Sequence, residues 1–351
     1  MHCFNDLQGV PVNPVEPKPG LVTLPRRRLI GGGTAMAAAA SLGLLSRHAW
    51  SAPRKLTFAW NANAFCLSPV LVALERGYFE RNGLQVELVN YTGSTDQLLE
   101  SLATGKADAA VGMIHRWLKP LEAGFDVKIV GSSHGGCVRL IGAKTAGVTD
   151  LKKLKGKTIG VSDLASPGKN FFAILLAKNG IDAERDVNWR QYPADLLGVA
   201  VDKGEIQAIA DGDPNLYLLE KRSPGIYTEL ATNLSGEYAD KTCCIIGARG
   251  ELVRKEKPVV AGLVRAIVQA SDFVADNPNE TAEIFHKHAP NVAAEDLRKL
   301  LGTLTHRHHP VAQDLQKEIE FYANDFRSVG VLKQSTDPAR FAQHVYYNAL
   351  G

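Results

Sequence analysis

The sequence lacks most of the motifs that announce a chemistry. It holds no Walker-type phosphate loop and no His-Glu-x-x-His signature. Its one glycine run, Gly31–Gly33, lies near the N-terminus in a segment that reads as an export signal, so it cannot cradle a phosphate, and no nucleotide cofactor is indicated. No charge sign dominates. Forty Lys and Arg stand against 37 Asp and Glu, a formal net charge of +3. That balance excludes the basic footprint of a nucleic-acid binder, and no Lys/Arg block occurs beyond the first 30 residues. Cysteine is scarce, with five in 351 residues and no paired Cys-x-x-Cys spacing, so spacing alone argues weakly for a metal. The remaining composition, 45% hydrophobic and 22% charged, is that of a globular protein. The length accommodates about two domains.

The first 51 residues look like an address. "PRRRLIGGGTAMAAAASLGLL" (25–45) places Arg26 and Arg27 before a short, weakly apolar run, and Ala49-Trp50-Ser51 offers small residues for cleavage. The run is too short and too rich in Gly and Ala for a stable membrane span. The arginine pair resembles a twin-arginine signal, which implies export to the periplasm in a folded state. The mature chain is expected to start near Ala52 and to keep Cys66, Cys137, Cys243 and Cys244. An oxidising compartment permits a disulfide among them, but sequence does not choose the pairing.

From residue 55 the chain alternates strand and helix signals. Strands are predicted at 55–61, 84–91 and 107–112, with helices at 68–83 and 94–106 between them. The pattern recurs with strands at 157–163, 187–193 and 206–212 and helices at 166–180 and 196–205. A β-α-β-α-β run predicts a parallel sheet covered by helices. Asn82-Gly83 and Asn179-Gly180 end the first helix of each set, so two similar lobes are expected. "HGGCVRLIGAK" (134–144) joins them, and "CCIIGAR" (243–249) is where the chain would return. Two short crossings make a hinge, and Gly135 and Gly136 supply the backbone freedom it needs. From residue 259 onward the chain reads as helical and is expected to pack on the first lobe.

"SPVLVALERGYFERNGLQVELV", "LLESLATGKADAAVG" and "DLKKLKGKTIGVSD" resemble the periplasmic substrate-binding proteins of ABC importers. The nearest group serves nitrate, taurine, aliphatic sulfonates and thiamine-type pyrimidines. The resemblance implies a type II periplasmic binding protein, α/β in class. Two Rossmann-like lobes would be joined by a two-strand hinge, with a helical C-terminal segment. The divisions expected are a signal at 1–51, lobe one at 52–137 and 245–351, and lobe two at 138–244. It also implies a monomer without catalysis or cofactor, which closes on a small solute and hands it to an inner-membrane permease. Sulfonate and nitrate lead as ligands, with a carboxylate or heterocycle also open. Pyrimidine-synthesising relatives use a histidine and iron, which keeps His115 and His134 open as catalytic suspects.

In parallel sheets, ligands sit beyond the carboxyl ends of the strands. That rule selects Trp60, Asn61 and Phe65 after the first strand and Gly93, Ser94 and Thr95 after the second. His115 and Arg116 follow the third, and Ser133 and His134 lie at the hinge. Ser166, Gly168 and Asp211 belong to lobe two. The helix starts at Ser94-Thr95 and Ser166-Gly168 have free N–H groups suited to an anion, or simply cap their helices. Arg116 offers a bidentate partner to an anion, and the aromatics offer stacking. Asp213 before Pro214 is expected to cap a helix. His134, Cys137 and Cys243 are a minor metal candidate. "HRHHP" (306–310) is expected to be solvated surface.

Overall fold

The computed structural model describes residues 52–62, 64–91 and 95–351. The export-signal reading of 1–51 lies outside the described residues, as do Gly93 and Ser94. Ten strands form two five-stranded sheets. The first takes β1 (Arg54–Trp60), β2 (Leu84–Asn90), β3 (Ala109–Met113), β4 (Val127–His134) and β10 (Cys244–Arg249), in the order β2-β1-β3-β10-β4. The second takes β5 (Val138–Ala143), β6 (Thr158–Val161), β7 (Asn188–Gln191), β8 (Ala208–Gly212) and β9 (Tyr227–Thr232), in the order β7-β6-β8-β5-β9.

The two sheets have one topology. β1, β2 and β3 run parallel, as do β6, β7 and β8. In each sheet the fourth strand is antiparallel to both neighbours, and it is the strand that has just arrived from the other sheet. The paired segments Arg139-Leu-Ile-Gly-Ala and Cys244-Ile-Ile-Gly-Ala are therefore equivalent interior strands. The crossings themselves lie at 135–137, shorter than expected, and at 233–243, which precedes the segment 243–249 and carries a single 3-10 turn at Gly236–Tyr238.

The shared glycine in these strands has a packing cause. Trp117, on α4 (Ile114–Glu122), is fully buried, and its indole lies against Gly112 of β3 and Gly247 of β10. A Cβ at Gly247 would stand 2.5 Å from the ring. At the hinge, a Cβ on Gly135 would strike the Lys241 carbonyl and stand 2.6 Å from Thr305 Oγ1, while Gly136 has φ +97°. The two glycines thus serve close approach and left-handed backbone respectively.

Several elements depart from expectation. The helix over 68–83 is two, α1 (Ser68–Glu75) and α2 (Tyr78–Arg81), because Gly77 takes φ +66°. β4 gives little apolar signal because it ends in buried Ser132, Ser133 and His134. β9 is an edge strand with exposed positions. The C-terminal helices do not rest on lobe one alone. Tyr322 of α12 (Ala312–Ser328) packs on His115 of α4, which also meets Phe171 of α5 (Pro167–Lys178), and Lys178 of α5 pairs with Asp325 of α12 at 3.2 Å. Asp296 of α11 (Ala294–Leu301) pairs with Lys221 of α7 (Asn215–Arg222) at 2.7 Å. A buried aromatic face on α12 requires cover from both lobes.

Gly247→Val forces a side chain into Trp117. Overpacking of this kind costs about 1–3 kcal/mol. Urea unfolding should show a lower midpoint with an unchanged slope; an unchanged midpoint would mean Trp117 does not hold the position described.

Candidate functional site

The carboxyl ends of the parallel strands in both sheets face one another, and the lobes touch there. Arg116, in the first turn of α4, is almost wholly buried. Its guanidinium is bidentate to Asp96 of α3 (Thr95–Ala103) in its own lobe and reaches Asp163 of lobe two at 2.6 Å. Asn170 Nδ2 of α5 donates to the His115 carbonyl at 2.9 Å. The Phe171 ring meets His115 edge-on at 5.0 Å. These contacts form a latch between the lobes. Beside it lies a cavity of about 320 Å³ lined by both lobes, including Lys119, Lys169 and Glu184.

The anion expected at Arg116 is replaced by two carboxylates, so this arginine carries no uncompensated charge in the latched form. Burial alone would raise the Asp163 carboxyl. The Ala165 N–H and Arg116 more than offset it and hold it below the ordinary range.

The remaining expected residues divide by environment. Trp60 ends β1, buried and edge-on to His288 of α10 (Pro278–His288) at 6.2 Å. Asn61 and Phe65 are buried beside it. Thr95 opens α3. Ser166 caps α5, its Oγ accepting from Lys169 N at 3.1 Å. Gly168 lets α5 approach β8, since a Cβ there would stand 2.9 Å from the Ala210 carbonyl. Asp211 accepts from Ser162 Oγ at 3.1 Å and Asn215 Nδ2 at 3.3 Å, and burial pushes its carboxyl up. Asp213 does not stand at the start of α7, where Pro214 takes the cap position. It accepts from Tyr217 N at 3.0 Å and pairs with Arg139 at 3.0 Å.

Behind the latch the hinge is lined with sulfur and imidazole. Ser133 Oγ donates to the Cys244 carbonyl at 3.4 Å. His134 is fully buried, its Nδ1 3.0 Å from the Gly135 carbonyl and its Nε2 without a hydrogen-bond partner. Cys137 and Cys243 sulfurs lie 3.5 Å apart, and Cys243 lies 3.9 Å from His115 Nδ1. Cys66, Cys137 and Cys244 offer three sulfurs within 4.8 Å of one another, and all four cysteines are free. Donation from Cys137 holds the Cys66 thiol well below the ordinary thiol range, whereas Cys137 lies well above it as the donor to its neighbours. His306 is not solvated surface. It is buried with its ring 4.9 Å from that of His134, and burial lowers its basicity. His308 and His309 instead pair with Glu318 and Asp272.

A family model described as "NMT1/THI5 like" matches residues 65–281, more than half of the chain. The chain belongs to the NMT1/THI5-like family. Within that family's reach, a protein of Brucella abortus named as a binding protein is 29% identical over 219 residues, covering 62% of this chain and 66% of that one. The 4-amino-5-hydroxymethyl-2-methylpyrimidine phosphate synthase of Schizosaccharomyces pombe is 23% identical over 304 residues, covering 81% of this chain and 84% of that one. Among solved structures, the alkanesulfonate-binding protein SsuA of Xanthomonas axonopodis bound to MOPS superposes with a TM-score of 0.68 at 19% identity, covering 83% of this chain and 98% of that one. This member of the NMT1/THI5-like family therefore has the periplasmic-binding-protein fold, as the sequence pattern implied.

Sequence reading missed Asp96, Asn170 and His306. Asp96 in a helix first turn reads as a response to the helix dipole. Nothing local marks Asn170 or His306, because their partners come from 55 and 172 positions away in the chain.

Asp163→Asn should loosen the latch while Arg116 keeps Asp96. A pair in which Arg116 is buried and Asp163 keeps 35% of its side chain exposed, and in which Arg116 retains a second carboxylate, contributes about 1 kcal/mol. Small-angle scattering should show a larger radius of gyration with little change in unfolding midpoint. Because the Asp163 pKa is depressed in the latched form, its contribution is complete above about pH 3.9. It is lost as pH falls through the lower latched value. An unchanged radius in the variant would remove the latch.

Proposed function

We propose that this protein is the solute-binding component of a periplasmic ABC importer and works by hinge closure on a small solute, without turnover. The observation that carries this reading is the pair of like sheets whose strand ends face each other and meet through Arg116 and Asp163. An open form exposes the facing ends. A solute touching both lobes favours the closed form by its extra contacts, and the closed form docks on a permease. The ligand class proposed is a small anion of the sulfonate, nitrate or carboxylate type. It is met by the helix starts at α3 and α5, since Arg116 is already matched by carboxylates. The alkanesulfonate-binding relative supports this class.

A ligand that binds only the folded protein stabilises it by mass action, by about 2.7 kcal/mol at a hundredfold excess over Kd. A panel of alkanesulfonates, nitrate, carboxylates and pyrimidines should therefore contain a compound that raises the melting temperature. Trp60→Phe should reduce that shift, and a full shift in the variant would move the solute away from β1. Mass spectrometry should recover the bound compound unchanged. Its conversion would replace binding with the synthase chemistry of the pyrimidine-forming relative.

A further inference from the structure

All four cysteines of residues 52–351 converge on one buried cluster, although they lie on separate segments. Cys66 sits in the turn after β1, Cys137 in the first crossing and Cys244 at the start of β10. Their sulfurs lie within 4.8 Å of one another. His134 ends β4 and adjoins Cys66. Its Nδ1–H donates to the Gly135 carbonyl, which leaves the lone pair on Nε2, the atom with no hydrogen-bond partner. An imidazole held through Nδ1 by a backbone carbonyl is the usual posture of a metal ligand. A buried nitrogen lone pair left unmatched is otherwise costly.

We propose that Cys66, Cys137 and Cys244 form a three-sulfur site for a borderline-soft divalent cation of the zinc type, and that the His134 imidazole, which lies outside the 4.8 Å group of sulfurs, turns in to complete a tetrahedron. Zinc–sulfur bonds of about 2.3 Å put tetrahedral sulfurs about 3.8 Å apart, so the three sulfurs close on an ion with small shifts, while the His134 ring has further to move. Cys243 stays outside the set and serves as a neighbour, 3.5 Å from the Cys137 sulfur. The three thiols release their protons to solvent as the ion enters. Access to the site runs through a cavity of about 180 Å³ lined by Gly136, Cys137 and Thr303. Cys137 also has φ +87°, a backbone conformation rare for a side-chain-bearing residue. The ion ties this residue of the first crossing to three groups of lobe one. It thereby stiffens the hinge, whichever solute the cleft takes.

The test uses the purified protein, reduced, stripped with chelator and titrated with Zn²⁺ or Co²⁺ in the absence of any solute. One equivalent should bind, with the thiolate charge-transfer absorption of tetrahedral cobalt and a rise in melting temperature. Cys243→Ser should keep both signals. Cys137→Ala and Cys244→Ala should lose them while retaining the far-ultraviolet circular dichroism of the metal-free protein. His134→Gln should weaken binding at least by the 10–100-fold that loss of an outer partner alone costs, taken as about that order. On the wild-type chain, X-ray absorption at the bound zinc should show three sulfur neighbours and one nitrogen, a readout that does not depend on variants folding; a shell of oxygens alone overturns the site. Absence of binding by the reduced protein overturns the site, as does an undiminished equivalent in Cys137→Ala.

Discussion

The two crossings at the hinge are hydrogen-bonded to each other at both ends, and the rest of the molecule depends on that pairing. Cys243 N donates to the His134 carbonyl at 2.9 Å, and Asn233 N donates to the Val138 carbonyl at 3.0 Å. The second crossing then feeds β10 between β3 and β4, as the first feeds β5 between β8 and β9. Each sheet is completed by a strand that arrives from the other, so neither lobe has its interior strand without the crossing. Gly135 permits the approach because no side chain fits between it and Lys241.

That pairing also decides what the cleft contains. It brings the ends of β4 and β8, the start of β10 and the first turns of α4 and α5 within reach of one another. The result is two layers. At the latch, charge is matched across the lobes by Arg116 with Asp96 and Asp163. Behind it, polarity is low and the groups are sulfur, imidazole and aromatic rings, with Tyr322 and Phe326 of α12 closing the rear. α12 thus bridges the two lobes, since it holds His115 of one lobe while Lys178 of the other reaches its Asp325.

Local signals carried much of the fold. The alternation of strand and helix from residue 55, the Asn-Gly stops and the repeated Ile-Gly-Ala segments all reflect periods of two and 3.6 residues that burial imposes on a chain. They failed where burial and polarity part company. β4 ends in Ser132, Ser133 and His134, buried because the other crossing covers them, and such a segment gives no apolar run. The "HRHHP" tract reads as solvated because three histidines in a loop are usually wet, yet His306 finds cover under the hinge beside His134.

The sequence by itself determined the two α/β lobes, their duplication and the place of the first crossing, because these follow from hydrophobic period, helix punctuation and glycine; the second crossing precedes the segment 243–249 expected to form it. It also determined which loops follow the carboxyl ends of the parallel strands, because that follows from strand direction. Only the tertiary structure decided what those loops meet. Arg116 finds carboxylates 20 and 47 positions away, and Cys66, Cys137 and Cys244 meet from three separate segments. Pairings of that range are set by sheet order and by how closely two crossings pack, and no local period in the chain records them.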